Sequence, residues 1–109
     1  MFKENILEYR KKKTIEKKHR FEAVYLKNKF LAEWASNVLE LNHNNKVQYL
    51  NKTLSLLNEK DKNNLIIKKI EKDFSNNNIK ISFDEIELKS KDFQIKAHIV
   101  VQNRVKQNI

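Results

Sequence analysis

Three histidines are the residues of this chain whose side chains could hold a metal ion or move a proton near neutral pH. His19, His43 and His98 lie far apart in the sequence, and no two of them have the i, i+4 spacing of a zinc-protease helix. A metal site would require the fold to bring them together with acidic side chains. We predict separate surface histidines and no metal site.

An acidic group near the last third of the chain could suggest acid–base chemistry. It comprises Asp84, Glu85 and Glu87, and Ser82 stands three residues before Glu85. This S-x-x-E spacing is typical of a capping box at a helix start, where carboxylates also stabilise the helix dipole. We therefore interpret the group as a helix N-terminus.

The residue types that are missing exclude several kinds of chemistry. The chain contains no Gly, no Pro and no Cys. Phosphate-binding loops and dinucleotide fingerprints need Gly, because a Cβ would block the approach of the backbone to phosphate. Thiolate metal sites, disulfides and Cys nucleophiles are excluded as well. The sequence predicts a protein that is not an enzyme, with no catalytic residue and no cofactor.

The positive charge allows a different class of function. The net charge is +9, and residues 10–20 hold seven basic side chains and one acidic one. Such a run is compatible with nucleic acid or an anionic membrane surface as a partner. However, 20 of the 23 basic residues are Lys, whereas reading of base edges favours Arg. A small basic nucleic-acid-binding protein is the alternative function, and a helical adaptor for another partner is a third.

The elements that position these residues are predicted to be helices. Without Gly and Pro, the chain lacks the common helix breakers and hairpin turns. We predict an all-α fold, a small four- to five-helix bundle with an N-terminal arm that is either helical or frayed. The arm covers residues 1–19 and the bundle residues 20–109. The apolar runs are too short for a membrane span and no signal peptide is evident, so the expected location is cytoplasmic.

Residues 20–41 show the strongest helical pattern. Alternating steps of three and four residues define an apolar stripe, which Asn28 interrupts, and neighbouring side chains widen it. We predict that this whole face is buried, with Leu31, Trp34 and Phe93 in the core. Asn28 is expected either to fix the register of the packing or to bond to an adjacent helix or loop. The stripe and its neighbours are Phe21, Val24, Tyr25, Leu31, Ala32, Ala35, Val38 and Leu39.

The remaining boundaries follow from capping signals. Asn42 is predicted as the left-handed residue that ends this helix, and Asn45 as the N-cap of the next. Asp61 is predicted to cap the fourth helix, which residues 76–78 end, and residues 79–81 to form an extended linker that inserts its isoleucines into the core. The predicted buried stripes are Val47, Leu50, Leu54 and Leu57, then Leu65, Ile66, Ile70 and Phe74, then Phe83, Ile86, Ser90, Phe93, Ala97 and Val100.

The string RFEAVYLKNKFLAEWA, residues 20–35, resembles the segment that marks the alphaproteobacterial ATPase inhibitor subunit zeta family of the F-type ATP synthase. The similarity continues without a gap to the N-terminus, where Phe2, Glu4 and Tyr9 match an aromatic, an acid and an aromatic. It also includes residues 67–70 with Asp73, and Ser82, Glu85 and Ile86 further on. The matching residues in the string are Phe21, Asn28, Lys29, Leu31, Trp34 and Ala35.

The resemblance implies a helical bundle whose N-terminal segment enters a catalytic interface between the α and β subunits, next to γ, and stops ATP hydrolysis. It thereby implies the catalytic head of F-type ATP synthase as the partner and a peripheral position at the inner membrane. Phe2, Ile6 and Tyr9 form a short apolar stripe, typical of a helix that binds in a groove. The expected partner-binding residues are Phe2, Glu4, Ile6, Tyr9, Arg10 and Lys12.

The chain departs from the family pattern at three places. Ala32 stands where a Gly is usual, and residues 42–45 replace a turn that contains Gly. The acidic stretch that precedes Phe21 in the family is here Ile15, Glu16, Lys17 and Lys18. A change of sign alters the electrostatic complementarity of the arm to its partner, which leaves both full and attenuated inhibition open.

Overall fold

A computed structural model describes the backbone of residues 2–107 and the side chains of residue 8 and residues 10–106. This part of the chain is all-α, as predicted. It contains α1 (Phe2–Val38), α2 (His43–Leu54), a 3-10 turn (Ser55–Asn58), α3 (Lys62–Asn76) and α4 (Phe83–Gln107).

The first helix is long because nothing in its sequence interrupts it. α1 has 37 residues, about 55 Å at 1.5 Å per residue, and runs without a break past the boundary predicted at residues 19 and 20. Of the two forms predicted for the arm, the backbone therefore has the helical one. The division into residues 1–19 and 20–109 stays a prediction.

The turn after α1 differs from the prediction. α1 ends at Val38, and Glu40, with a φ of 56°, occupies the left-handed position. The amide of Glu40 donates to the carbonyl of Asn37 and that of Leu41 to Ser36, which together form a Schellman motif. Asn42 is instead the N-cap of α2, and its side chain accepts a 2.9 Å hydrogen bond from the Asn45 amide. The predictions for Asn42 and Asn45 were therefore wrong: the left-handed residue is Glu40 and the N-cap is Asn42, because α1 ends before the Asn-rich segment.

The other helix ends follow the predicted signals. Asp61 lies at the N-cap position of α3, although its carboxylate accepts from the Asn64 side chain and not from a backbone amide. Asn78 takes a φ of 60° after α3. Ser82 and Glu85 form the predicted capping box, in which each backbone amide donates to the side-chain oxygen of the other residue at 3.2 Å.

The main core lies between α1, α3 and α4. Ile79 and Ile81 of the linker pack against it, as predicted. Val47 and Leu65, predicted to be buried, are exposed. In α3, Ile67 is buried where Leu65 was expected, because the side of α3 that packs against the other helices includes position 67 and excludes position 65. The buried cluster consists of Leu31, Ala35, Ile66, Ile67, Ile70, Phe74 and Ile86.

A second, smaller core joins α1 to the C-terminal half of α4. Ala23 and Leu26 of α1 are buried against Ala97 and Val101 of α4, and Phe30 and Val100 pack at the edge. The predicted stripe ended at Val100, whereas Val101 is the more deeply buried residue. The small side chains at positions 23 and 97 allow the two helices to approach closely. This contact holds α1 to the bundle at Ala23 and Leu26, a few residues after the N-terminal arm ends.

Candidate partner interface

The N-terminal part of α1 presents an exposed, strongly basic helical surface. Side chains of residue 8 and residues 10–18 are all exposed, so the predicted contact residues Arg10 and Lys12 are accessible to a partner. The side chains of the other four predicted contact residues, Phe2, Glu4, Ile6 and Tyr9, lie outside the described part.

The charge of this segment surrounds the helix. Consecutive residues of an α-helix are about 100° apart, so Lys11, Lys12 and Lys13 point in three different directions. The hydroxyl of Thr14 donates a 3.0 Å hydrogen bond back to the carbonyl of Arg10 and is satisfied within the helix. A partner that surrounds the arm therefore meets positive charge from several sides.

Two aromatic residues of the motif string are not in the core. Phe21 is 62% exposed and Tyr25 is 46% exposed, which contradicts the prediction that the whole stripe is buried. They lie on the same side of α1 as Ala32, about two and three turns nearer to the arm. The side chain of Lys46 in the first turns of α2 donates to Asn37, which places the start of α2 beside the end of α1. α2 has 12 residues, about 18 Å, and so does not extend as far as Phe21.

The other motif residues anchor α1 in the bundle. Leu31 and Ala35 are fully buried, as is the adjacent Ala32, while Lys29 is half-buried. Asn28 is 1% exposed, but its amide donates at 2.9 Å to the carbonyl of Val24 in its own helix. The prediction that Asn28 bonds to a neighbouring element is thus not supported by this contact.

Trp34 and Phe93 lie at the edge of the main core and are half-buried. The Trp34 ring meets Phe74 of α3 edge to face, with centroids 5.5 Å apart. The rings of Phe93 in α4 and Phe30 in α1 have their centroids 6.0 Å apart. Together, these two aromatic contacts link α1 to both α3 and α4.

Lys27 is a buried cation that the sequence pattern did not single out. Its ammonium group donates a 3.0 Å hydrogen bond to the side-chain oxygen of Asn63 in α3. Burial, with a smaller contribution from nearby Lys62, lowers the pKa of Lys27. The helical pattern places Lys27 outside the apolar stripe and so predicts an exposed side chain, and only the position of α3 reveals its burial.

A second unpredicted contact joins α2 to α3. The Tyr49 hydroxyl donates to the Asp73 carboxylate at 2.9 Å, and Lys69 binds the same carboxylate oxygen at 2.8 Å. The Lys69 ammonium also lies 3.9 Å from the centre of the Tyr49 ring. Burial first, and the Asp73 carboxylate second, raise the pKa of Tyr49 well above its usual value. Asp73 is one of the residues on which the family resemblance depends.

The histidines are less separate than predicted. His19 of α1 and His98 of α4 line one groove of about 730 Å³, together with Glu16 and Arg20. Within the described residues, no group of three or more His, Cys, Asp or Glu side chains could hold a metal ion. Glu85 of the acidic group is engaged in the capping box.

Comparison with known proteins identifies the family. Searches of curated proteins and of solved structures find no significant match. Among the described helices, none has both the length and the apolar character needed to cross a bilayer. The family model for ATPase inhibitor subunit zeta matches residues 3–99, which include most of the arm, the motif string, α2, α3 and α4 as far as residue 99. This chain therefore belongs to the ATPase inhibitor subunit zeta family.

Proposed function

We propose that this chain inhibits ATP hydrolysis by F-type ATP synthase by inserting its N-terminal arm at a catalytic interface between α and β, next to γ. The observation that carries the proposal is the family match over residues 3–99, which begins within the arm. The uninterrupted α1 helix, whose side chains are exposed at residue 8 and residues 10–18, supports it, because it offers a continuous contact surface.

The proposed mechanism requires no chemical step by the inhibitor. Rotary ATP hydrolysis needs each catalytic interface to open and close in turn. A helix that fills an interface opposes its closure, and the binding energy of the helix becomes a barrier to rotation. The 13 residues from position 2 to position 14 reach about 20 Å as a helix, enough to enter an interface while the bundle stays outside.

The contact residues proposed on the arm are of two kinds. Phe2, Ile6 and Tyr9 would supply apolar contact along one stripe of the helix. Glu4, Arg10 and Lys12 would pair with charges at the rim of the interface, where they affect the association rate and its salt dependence more than the final affinity. In this arrangement the protein is cytoplasmic and reaches the inner membrane only through the ATP synthase.

The direct test measures ATP hydrolysis by the isolated catalytic head with increasing amounts of the intact protein. We expect inhibition, and we expect deletion of residues 1–14 to abolish it while circular dichroism shows that the rest stays helical. The charge-reversal pair Arg10→Glu and Lys12→Glu should weaken inhibition, whereas Lys68→Glu with Lys72→Glu, two exposed lysines of α3, should not. Full hydrolysis in the presence of saturating intact protein would refute the proposal.

The basic arm also supports a second candidate, binding to nucleic acid. Its positive charge on several sides would attract phosphate without sequence preference. A titration against duplex and single-stranded DNA at low salt tests it, since phosphate attraction is strongest there. Absence of binding at low salt removes this candidate.

A further inference from the structure

We propose that Phe21 and Tyr25, together with the lysines around them, form a second docking contact that binds an acidic protein surface with an apolar centre on the catalytic head of the ATP synthase. This inference rests on the proposed function, and it extends the contact from the arm into the bundle. We call these two side chains the ring pair.

The ring pair is exposed on a side of α1 that is buried further along the helix. Phe21 and Tyr25 are four residues apart, which places the two rings next to each other on one side of α1. They are 62% and 46% exposed, whereas Ala32 on the same side is fully buried. Two aromatic rings held on a rigid helix offer a large contact area at a small entropic cost. Aromatic residues of this kind are enriched among the side chains that dominate binding energy.

The ring pair is exposed because α2, which packs beside the end of α1, is too short to reach it. α2 runs back along α1 from Asn37, where Lys46 is hydrogen-bonded. The eight residues that follow Lys46 in α2 span about 12 Å, so α2 reaches about as far as position 29 and ends before Tyr25. On another side of α1, α4 covers Ala23 and Leu26. A helix or loop from a partner could therefore pack against α1 beyond the end of α2 and cover Phe21 and Tyr25.

The charges around the ring pair define the chemistry of that partner. Lys17 and Lys18 precede Phe21 by four and three residues, and Lys29 follows Tyr25 by four, so all three are helical neighbours of the rings. Glu22, three residues before Tyr25, is half-buried and is the single acidic side chain among these neighbours. Lys17 and Lys18 are exposed and Lys29 is half-buried. A surface complementary to this arrangement has an apolar centre with acidic side chains on both sides along the helix.

This arrangement favours a protein partner over nucleic acid or a second copy of the chain. Apolar anchors at i, i+4 on a helix are typical of helix-in-groove recognition between proteins. A second copy would bring the same lysines to the contact if it used the same face, and like charges would then oppose each other. Since the chain belongs to a family of ATPase inhibitors, the acidic surface is assigned to the ATPase.

The test uses the full-length chain and the isolated catalytic head. We compare the double variant Phe21→Ala with Tyr25→Ala against the control Leu88→Ala with Ile95→Ala, whose side chains are as exposed as Phe21 but lie on α4. The ring-pair variant should bind the head at least about tenfold more weakly than wild type, and the control should bind equally well. Lys17→Glu with Lys18→Glu should also weaken binding and reduce its salt dependence, whereas Lys68→Glu with Lys72→Glu should not.

The outcomes separate the two proposals. If wild type inhibits the head and the ring-pair variant binds as tightly as the control, the docking contact is refuted and the inhibitory function stands. If wild type neither binds nor inhibits, both are refuted. Sedimentation or a gel shift that reveals a dimer or a DNA complex dependent on Phe21 and Tyr25 would assign the ring pair to that occupant and overturn this inference.

Discussion

The ammonium group of Lys27 donates a 3.0 Å hydrogen bond to the side-chain oxygen of Asn63, which ties α1 to the first turn of α3. The nitrogen is held in a region where burial and Lys62 both disfavour its charged form. The contact fixes the position of α1 in the bundle, at the price of keeping a cation away from water.

Lys27→Met should raise the free energy of unfolding at pH 7 by about 1 kcal/mol, because Met keeps the aliphatic packing and removes the buried charge. The pKa of Lys27 is lowered in the folded state, so the unfolded chain binds more protons as pH approaches 10.5, and the stability of wild type rises through that range. The advantage of the Met variant should therefore shrink between pH 7 and pH 10. Urea denaturation at both values measures it, with Lys68→Met as an exposed control. A wild type more stable than the Met variant at pH 7 would contradict the expectation.

Tyr49→Phe should lower the free energy of unfolding by about 1 kcal/mol at pH 7, because it removes the hydrogen bond to the Asp73 carboxylate. The pKa of Tyr49 is raised in the folded state from its ordinary value of 10.0. The stabilisation is therefore fully present below about pH 10 and is lost above it, as the unfolded phenol ionises first. Urea denaturation at a series of pH values from 7 to 11 should show that the free energy of unfolding falls more steeply with pH for wild type than for the Phe variant. Equal slopes for the two proteins would argue against this assignment, and Tyr25→Phe serves as the exposed control.

Glu40→Gly should raise the free energy of unfolding by about 1 kcal/mol, since Glu40 has a φ of 56° and a Cβ is unfavourable in the left-handed region. Asn78→Gly should yield a smaller gain, because Asn tolerates a φ of 60° better than Glu does. Thermal unfolding of the two variants tests the order. A loss of stability in Glu40→Gly would mean that this carboxylate has a role beyond the turn.

Phe74→Ala should cost about 3 to 4 kcal/mol, because Phe74 is fully buried and its removal leaves a cavity beside Trp34. Trp34 is the single Trp of the chain, so its fluorescence reports directly on this contact. Chemical denaturation followed by Trp34 emission measures the cost, and Leu88→Ala, which truncates an exposed side chain, should change stability by less than about 0.5 kcal/mol. Similar costs for the two variants would contradict the assigned core.

The sequence by itself determined the helical class and several helix ends. The absence of Gly and Pro removes the residues that interrupt helices, and Ser82 with Glu85 marks a helix start that the structure confirms. Such signals act between residues that are close in the chain, so they can be read without knowing the fold. The motif string likewise led to the family that the comparison shows.

Only the tertiary structure decided which parts of a common stripe are buried. Periodicity shows that Phe21, Tyr25 and Ala32 lie on one side of a helix, but the positions of the neighbouring elements decide that Ala32 is covered and Phe21 is not. The burial of Lys27 likewise depends on where α3 begins, and the groove shared by His19 and His98 depends on how α4 lies along α1. The physical reason is that burial arises between elements distant in sequence, and their lengths and contacts are not encoded in the pattern of any one helix.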